Sequence, residues 1–382
     1  MTEIHVSQVT HLYQPSLGGI ENYAHRLNES LREAGHTTTT FTTDLSLADD
    51  DTPVADEDVR YCTTVASLLR NPLSLELHRT LRESELDLYH LHNPWLLPTL
   101  TGAHALDAGA PTVMTVHSAA ITSHSRVIRA LNTTYKPFAQ YVFDRVDHSF
   151  VQGPTEKRRL LDRFDVRSED VSVVPNGIHP DEYDVPDTAV SAFREDHGLD
   201  PAIPTVLYVS RLIPEKNPRT FVEAVADHLD GRDLQALVVG TGEETFVRDL
   251  RRRADSQVRF SETVAFEALK AAYHASDLFV FLGTWEGLPT VILEAMNARL
   301  PIVSTPVGAI PDAVAEPDNG LFVPTSPTPR AVATAIRYYL DQPDERVAVG
   351  ERNRDRVRAE YKWTDVAESI IERYEEVRAD YT

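Results

Sequence analysis

The sequence predicts an α/β protein made of two doubly wound, parallel-sheet domains, and three observations carry that expectation. The chain has 382 residues, more than one hydrophobic core usually supports. Short apolar runs of β type alternate with helical patterns, which is the signature of β-α-β units. Several of those runs end in glycine or histidine, and in open α/β sheets the carboxyl ends of strands are where ligands bind.

In order along the chain, MTEIHVSQV enters a strand directly, without the pattern of a signal peptide. Pro15 to Tyr23 then opens an amphipathic run through Ala24, Leu27 and Leu31 to Gly35 and His36. Gly18 and Gly19, ahead of that helix, mark a phosphate-tolerant N-terminus. Tyr89-His90-Leu91-His92-Asn93 and Met114-Thr115-Val116-His117 are β-rich runs ending in histidine, which places both histidines at strand ends. From Ala108 to Phe143 there is no Asp or Glu, while Arg126, Arg129 and Lys136 stand among Tyr135, Phe138, Tyr141 and Phe143. Such a stretch suits an anionic lipid-linked acceptor or a membrane surface bearing one; a buried helix pair would also exclude acids. Val174-Pro175-Asn176-Gly177-Ile178 reads as a turn.

The first lobe is expected to run from Ile4 to about Val174, with the acid- and Pro-rich segment Asp181 to Asp200 as linker. The second lobe begins near Thr205, where the apolar run to Val209 leads into Ser210-Arg211-Leu212 and then Lys216. Arg offers phosphate oxygens a planar fork and Lys a mobile point charge, so this pair on one loop can clasp a departing nucleoside diphosphate. Lysine is scarce in the chain, at Lys136, Lys157, Lys216, Lys270 and Lys362 only. Ala236 to Val239 followed by Gly240-Thr241-Gly242 fits a βα turn beside a nucleotide, but Thr245 stands where a dinucleotide fingerprint needs glycine. Next, Leu278 to Leu282 reads as a strand, Gly283 and Gly287 punctuate the loop, and Pro289 opens a helix with outward amides at Thr290 and Val291. Glu286 hangs in that loop and Glu294 lies one turn inside the helix, so one can hold a sugar and the other a ribose.

Glu286 and Glu294 with seven residues between them, the Gly287-Leu288-Pro289 turn and the following AMNARLPIVSTPVGAIPD resemble the donor-site signature of family-four glycosyltransferases of GT-B fold, also described as glycosyltransferase group 1. SRL with Lys216 is similar to that family's phosphate clamp, Gly18-Gly19 with Glu21 to its GGxE loop, and VPNGI to its turn near the interdomain crossing. The resemblance covers nearly the whole chain. It implies two Rossmann-like domains facing across a cleft: 1–180 binding the acceptor, 181–360 binding the nucleotide-sugar, and a final helix at 361–382 returning to the first domain. It further implies a retaining, metal-independent hexosyl transfer with Arg211, Lys216, Glu286 and His117 as catalytic residues. The donor would meet Gly18, Gly19, Gly240, Gly242, Gly287, Leu288, Pro289, Thr290, Val291 and Glu294. Three departures stand out: the family usually has Asp after the histidine at 117, where Ser118 stands, often Glu at the position of Asp312, and often Cys-Gly or similar at Ala298-Arg299.

Composition sets bounds on these readings. No apolar run approaches the length of a membrane span, and the single Cys62 excludes a disulfide framework and suits a reducing cytosol. No ligand cluster has metal spacing, so neither metal nor cofactor is expected. The net charge of −22 repels nucleic acid and resembles the acidic, lysine-poor surfaces of haloarchaeal proteins. A nucleotide-sugar donor and a glycan or lipid-linked acceptor are therefore the expected partners, in a cytoplasmic protein with peripheral contact to an anionic membrane. The alternatives are a sugar-nucleotide epimerase of the same fold and a non-catalytic scaffold; the second predicts loss of Arg211, Lys216 or Glu286, and all three are present.

Overall fold

The computed structural model describes the chain except for residues 1, 2, 17, 48–57, 69, 70, 107–109, 120–125, 263, 264 and 382, and except for the side chains of 68 and 126–132. It divides into two compact units, Met1–Pro175 with Thr364–Thr382, and Asn176–Trp363.

In the first unit the strands are β1 (His5–Val9), β2 (Thr37–Thr43), β3 (Val59–Cys62), β4 (Ala66–Leu68), β5 (Asn71–Leu73), β6 (Leu88–His92), β7 (Thr112–Val116), β8 (His148–Val151) and β9 (Val171–Val173). Its helices are α1 (Gly19–Glu33), α2 (Leu75–Glu83), α3 (Leu97–Ala105), α4 (Arg126–Phe143) and α5 (Pro154–Arg163). Seven strands form one parallel sheet in the order β3, β2, β1, β6, β7, β8, β9, and β4 with β5 makes a small antiparallel pair. Strand order reverses between β1 and β6, which opens a crevice at their carboxyl ends. The central strands β1, β6, β7 and β8 are buried on both faces, as a helix-covered parallel sheet requires.

The second unit starts with α6 (Asp187–His197), followed by β10 (Thr205–Val209), α7 (Pro218–His228), β11 (Gln235–Val239), α8 (Glu244–Arg253), β12 (Val258–Ser261) and α9 (Phe266–His274). It continues with β13 (Leu278–Phe281), α10 (Thr290–Asn297), β14 (Ile302–Ser304), α11 (Ile310–Ala313), β15 (Gly320–Phe322), α12 (Pro329–Asp341) and α13 (Pro343–Glu360), whereas the last helix, α14 (Trp363–Ala379), belongs from Thr364 onward to the first unit. Its parallel sheet runs β12, β11, β10, β13, β14, β15, so the order reverses between β10 and β13. Leu207 and Val209 of β10 enter one core and Val206 and Tyr208 enter the other, one on each face of the sheet. Each unit is a Rossmann-like domain.

Two expectations are corrected here. The segment Asp181 to Asp200 is not a linker: most of it is the turn Pro180–Tyr183 and α6, whose Val190 and Phe193 enter the second core beside Leu199. Its acids occupy the outward face of that helix, which is why composition alone reads as a tether. The division also falls at Pro175/Asn176 and Trp363/Thr364 rather than near 180 and 360. The cause is a local stitch: the Ile178 N–H donates to the Tyr361 carbonyl at 3.0 Å, and the Trp363 N–H to the Ile178 carbonyl at 2.7 Å.

Candidate functional site

In the second domain, the loop after β10 and the loop after β13 meet at the point where strand order reverses. The Asn217 side-chain amide donates to the Leu282 carbonyl at 2.8 Å, and the Thr284 N–H and hydroxyl both reach the Glu215 carbonyl at 3.0 Å. Asn217 sits at φ 55°, a left-handed conformation that Asn tolerates better than most residues. Those bonds bring Lys216 Nζ and Glu286 Oε1 into a direct ion pair. Tyr208 fixes the base of the lysine loop, its hydroxyl donating to the Lys216 carbonyl at 2.5 Å.

Both partners are mostly buried, with about the same side-chain exposure, 15% for Lys216 and 14% for Glu286. Desolvation raises the Glu286 carboxyl above its ordinary range, and Lys216, then Arg211, pull it back only in part. Arg211 is itself exposed beside the pair. Two cations and one carboxylate thus share this end of the sheet, an arrangement with positive charge to spare for a diphosphate.

Beside them, Pro289 is the N-cap of α10 and its carbonyl accepts from the Ile292 N–H at 3.1 Å, which leaves Thr290 and Val291 as the first helical residues. The preceding loop is pinned from behind: the Asn176 amide donates to the Leu288 carbonyl at 3.1 Å, and Asn176 also accepts from the Gly177 N–H at 3.0 Å. The VPNGI turn therefore supports the loop carrying Glu286. Glu294, only 7% exposed, accepts a 2.6 Å hydrogen bond from the Tyr273 hydroxyl of α9. That contact orients the carboxylate, and burial with the nearby Glu294 charge pushes the Tyr273 phenol well above its ordinary range.

The glycines have a more specific reason than openness to a nucleotide. At Gly240, with φ 146°, an added Cβ would lie 1.9 Å from the Ser210 carbonyl oxygen, and at Gly242 it would lie 2.2 Å from that of Leu212. Their close approach is to the loop that bears Arg211. Gly308, with φ 60°, similarly clears the Gly287 carbonyl at 2.3 Å, where the Ala309 N–H donates at 2.9 Å. In the first domain, space beside Gly18 is filled by the Glu21 carboxylate, 2.2 Å from an added Cβ, whereas Gly19 is open. An anion at this turn would have Glu21 as a neighbour.

Across the first domain's sheet, parallel register and alternation put Gln8, His90, His92 and Thr115 on one face. His90 Nε2 lies 2.8 Å from Thr115 Oγ1, and His90 Nδ1 meets the Tyr374 hydroxyl of α14. His92 is stacked on His90 with ring centroids 4.5 Å apart, and its Nδ1 is 3.1 Å from His117 Nε2 just beyond β7. Burial holds His90 and His117 down at about 3 and His92 well below the usual imidazole value, so all three are neutral at pH 7. Ser118, where the resembled family has an aspartate, offers its carbonyl to Trp95 Nε1 at 3.0 Å.

The expected acceptor surface is divided by helix periodicity. Ala139, Val142 and Phe143 of α4 are buried in the core, whereas Lys136 is exposed and Phe138 is 51% exposed. Burial thus accounts for the missing acids on one face only. Phe138 and Tyr141 line a groove of about 560 Å³ with Leu73, Leu75, Leu100 and His104. The side chains of Arg126 and Arg129 lie outside the described residues. Among the described residues no group of three or more His, Cys, Asp or Glu side chains could hold a metal ion, and no helix is long and apolar enough to cross a membrane.

Comparison with known proteins agrees with this architecture. Residues 17–182 match Glycosyltransferase Family 4, and residues 190–356 match Glycosyl transferases group 1. The chain is 26% identical over 301 residues to the D-inositol 3-phosphate glycosyltransferase of Corynebacterium glutamicum, covering 76% of this chain and 69% of that one. It is 28% identical over 287 residues to the GDP-mannose-dependent alpha-(1-6)-phosphatidylinositol monomannoside mannosyltransferase of Mycobacterium tuberculosis, covering 69% and 73%. Among solved structures, sucrose-phosphate synthase from Thermosynechococcus elongatus superposes with a TM-score of 0.80 at 22% identity over 99% of this chain and all of that one. Anabaena HepE in complex with UDP-glucose gives 0.80 at 18% identity, over 98% of this chain and all of that one.

Proposed function

From the premise that this chain is a glycosyltransferase of GT-B fold, its two domains carrying the Family 4 and group 1 matches, we propose that it is a retaining hexosyltransferase using a nucleotide-diphospho-sugar. The observation that carries the reading is the Lys216–Glu286 pair, with Arg211 beside it, at the strand-order reversal of the second domain. The bond from the sugar's anomeric carbon to the diphosphate breaks first. Lys216, Arg211 and the α10 amides take up the charge that develops on the departing oxygen. The acceptor hydroxyl then bonds to the same face of the anomeric carbon and gives its proton to the departing phosphate, so configuration is retained. Glu286 holds sugar hydroxyls and Glu294 the ribose. With two cations and helix amides at the leaving group, the transfer needs no metal.

The relatives named for inositol phosphate and phosphatidylinositol mannoside acceptors favour an anionic, lipid-linked or related polyol acceptor. The groove beside Phe138 and Lys136 suits the lipid end of such a molecule or an anionic bilayer. We place the protein at the inner face of the cell membrane, and we read the −22 charge as adaptation to a high-salt cytoplasm. The test is incubation in molar KCl with UDP-, GDP- or ADP-hexoses and either inositol phosphate or phosphatidylinositol vesicles. Mass spectrometry reads transfer and NMR reads the product anomer. A product of the donor's own anomeric configuration supports the reading; donor turnover without any acceptor would identify an epimerase instead.

A further inference from the structure

Two buried polar side chains, from β1 and β6, form a line that ends at the half-buried His117 just beyond β7. Gln8 of β1 is fully buried, and its Oε1 lies 2.7 Å from His92 Nε2. His92 Nδ1 lies 3.1 Å from His117 Nε2. The other His117 nitrogen, Nδ1, has Gln152 Nε2 at 3.5 Å, at the outer limit of hydrogen bonding.

Each link fixes the next. A carboxamide oxygen only accepts, so His92 Nε2 must carry a proton. A neutral imidazole carries one proton, so His92 Nδ1 is a lone pair and must receive the proton of His117 Nε2. His117 Nδ1 is then left as a lone pair. We infer that Gln8 and His92 are positioning residues that lock His117 as an Nε2–H tautomer, so that it meets a ligand only as a hydrogen-bond acceptor. A hydroxyl of a sugar or polyol satisfies that nitrogen; a phosphate or carboxylate oxygen, which can only accept, does not. Burial keeps both rings neutral and so keeps the line intact.

Orientation of the Gln8 amide is the root of the arrangement. Turned over, it would offer an N–H to His92, and every proton along the line would reverse until His117 Nδ1 became a donor. The Gln8 oxygen is the atom turned to His92 Nε2, at 2.7 Å, with the Tyr374 hydroxyl beside the same amide. Gln8 Nε2 does not complete a full hydrogen bond there, so the His92 contact is the firm one.

The consequence for catalysis rests on the proposed ligand contact of His117, but the tautomers can be read without it. The full-length protein is labelled with 15N-histidine, and long-range 1H–15N spectra are recorded at pH 7, with His92 and His117 assigned through His92→Asn and His117→Asn. Both rings are expected as Nε2–H neutral forms. Gln8→Leu, which removes the acceptor, is expected to shift both toward Nδ1–H, and Gln8→Glu, which keeps an acceptor, to hold them. An Nδ1–H signal at either ring in the wild type would overturn the inference, as would unchanged tautomers in a folded Gln8→Leu; if that variant does not fold, the wild-type spectrum decides alone. In transfer assays Gln8→Leu is expected to lose about tenfold in kcat/KM, with Gln8→Glu recovering most of it. Switched tautomers with unchanged kcat/KM would support the lock and remove His117 from the ligand site.

Discussion

Lys216 and Glu286, 70 residues apart in sequence, are joined in a direct ion pair across the two loops where the second domain's strand order reverses. Neither loop would hold its charged residue there alone; the Asn217–Leu282 and Thr284–Glu215 bonds fasten one to the other. The two side chains therefore act as a unit, and their removal should not be additive. Lys216→Ala is expected to lower kcat/KM by about a hundredfold, as is Arg211→Ala, each by taking away charge at the leaving group. The Lys216→Ala, Glu286→Ala double variant should fall far short of the product of the two single losses. A strictly multiplicative loss would mean that the pair is two independent groups.

How much of this was legible in the sequence depended on distance along the chain. Arg211 and Lys216 follow one strand on one short loop, and Glu286 and Glu294 follow another, so local pattern sufficed to single them out. Their pairing was not legible, because it is made by Asn217 and Thr284, whose partners are backbone carbonyls some 65 to 69 residues away. The same holds for Tyr273 on Glu294 and Asn176 on Leu288. Gly240 and Gly242 were readable as places of close approach, but only the parallel neighbour shows that Ser210 and Leu212 do the approaching. Val190 and Phe193, three apart, carried the signal that α6 is a packed helix, and Pro and acids around them masked it. Gln8 was not legible either: in His5–Val9 it is one polar residue among several, and only the folded sheet brings it to His92.

Tyr273 holds Glu294 in place, and that contact separates two kinds of loss. Glu294→Ala is expected to weaken binding of free nucleoside diphosphate by about 1.5–3 kcal/mol, and Tyr273→Phe by about 0.5–1.5 kcal/mol through a carboxylate that is no longer oriented. Glu286→Ala should instead act on turnover of the intact donor. Isothermal titration with free nucleoside diphosphates checks this; equal loss in Glu286→Ala and Glu294→Ala would end the division into sugar and ribose roles.

Gly240→Ala tests the packing beneath Arg211. The new Cβ would fall 1.9 Å from the Ser210 carbonyl, at a φ of 146° that side chains rarely adopt, so backbone must move. The expected outcome is a loss of at least about 2 kcal/mol from the second domain, with turnover falling as Arg211 shifts. Calorimetric melting of the variant checks it. An unchanged melting profile would show that the loop yields freely.

Acid should weaken the first domain through its neutral histidines. Their folded pKa values are depressed, to about 3 for His90 and His117, while the unfolded chain binds those protons near the ordinary value. Below that ordinary value and down to about 3, the unfolded state holds more protons, so stability drops as pH falls. Each such histidine contributes about 1.4 kcal/mol per pH unit. Replacing His90 by Gln should reduce the slope between about pH 6 and 5 by that amount, read at fixed salt from hydrogen exchange of β6 and β7 amides. A slope identical to wild type would show that His90 is protonated in the folded protein.

The most direct test of a nucleotide-sugar held by the Arg211, Lys216 and Glu286 loops is a thermal-shift panel of UDP-, GDP- and ADP-sugars in molar KCl, run on the wild type and on Arg211→Ala and Lys216→Ala. At one hundred times its dissociation constant, a bound donor adds about 2.7 kcal/mol of stability, about 5–10 °C for a domain of this size. We expect one nucleotide class to give that shift in the wild type and both variants to lose most of it at the same concentration. No shift with any nucleotide-sugar, or an equal shift in wild type and both variants, would contradict the account.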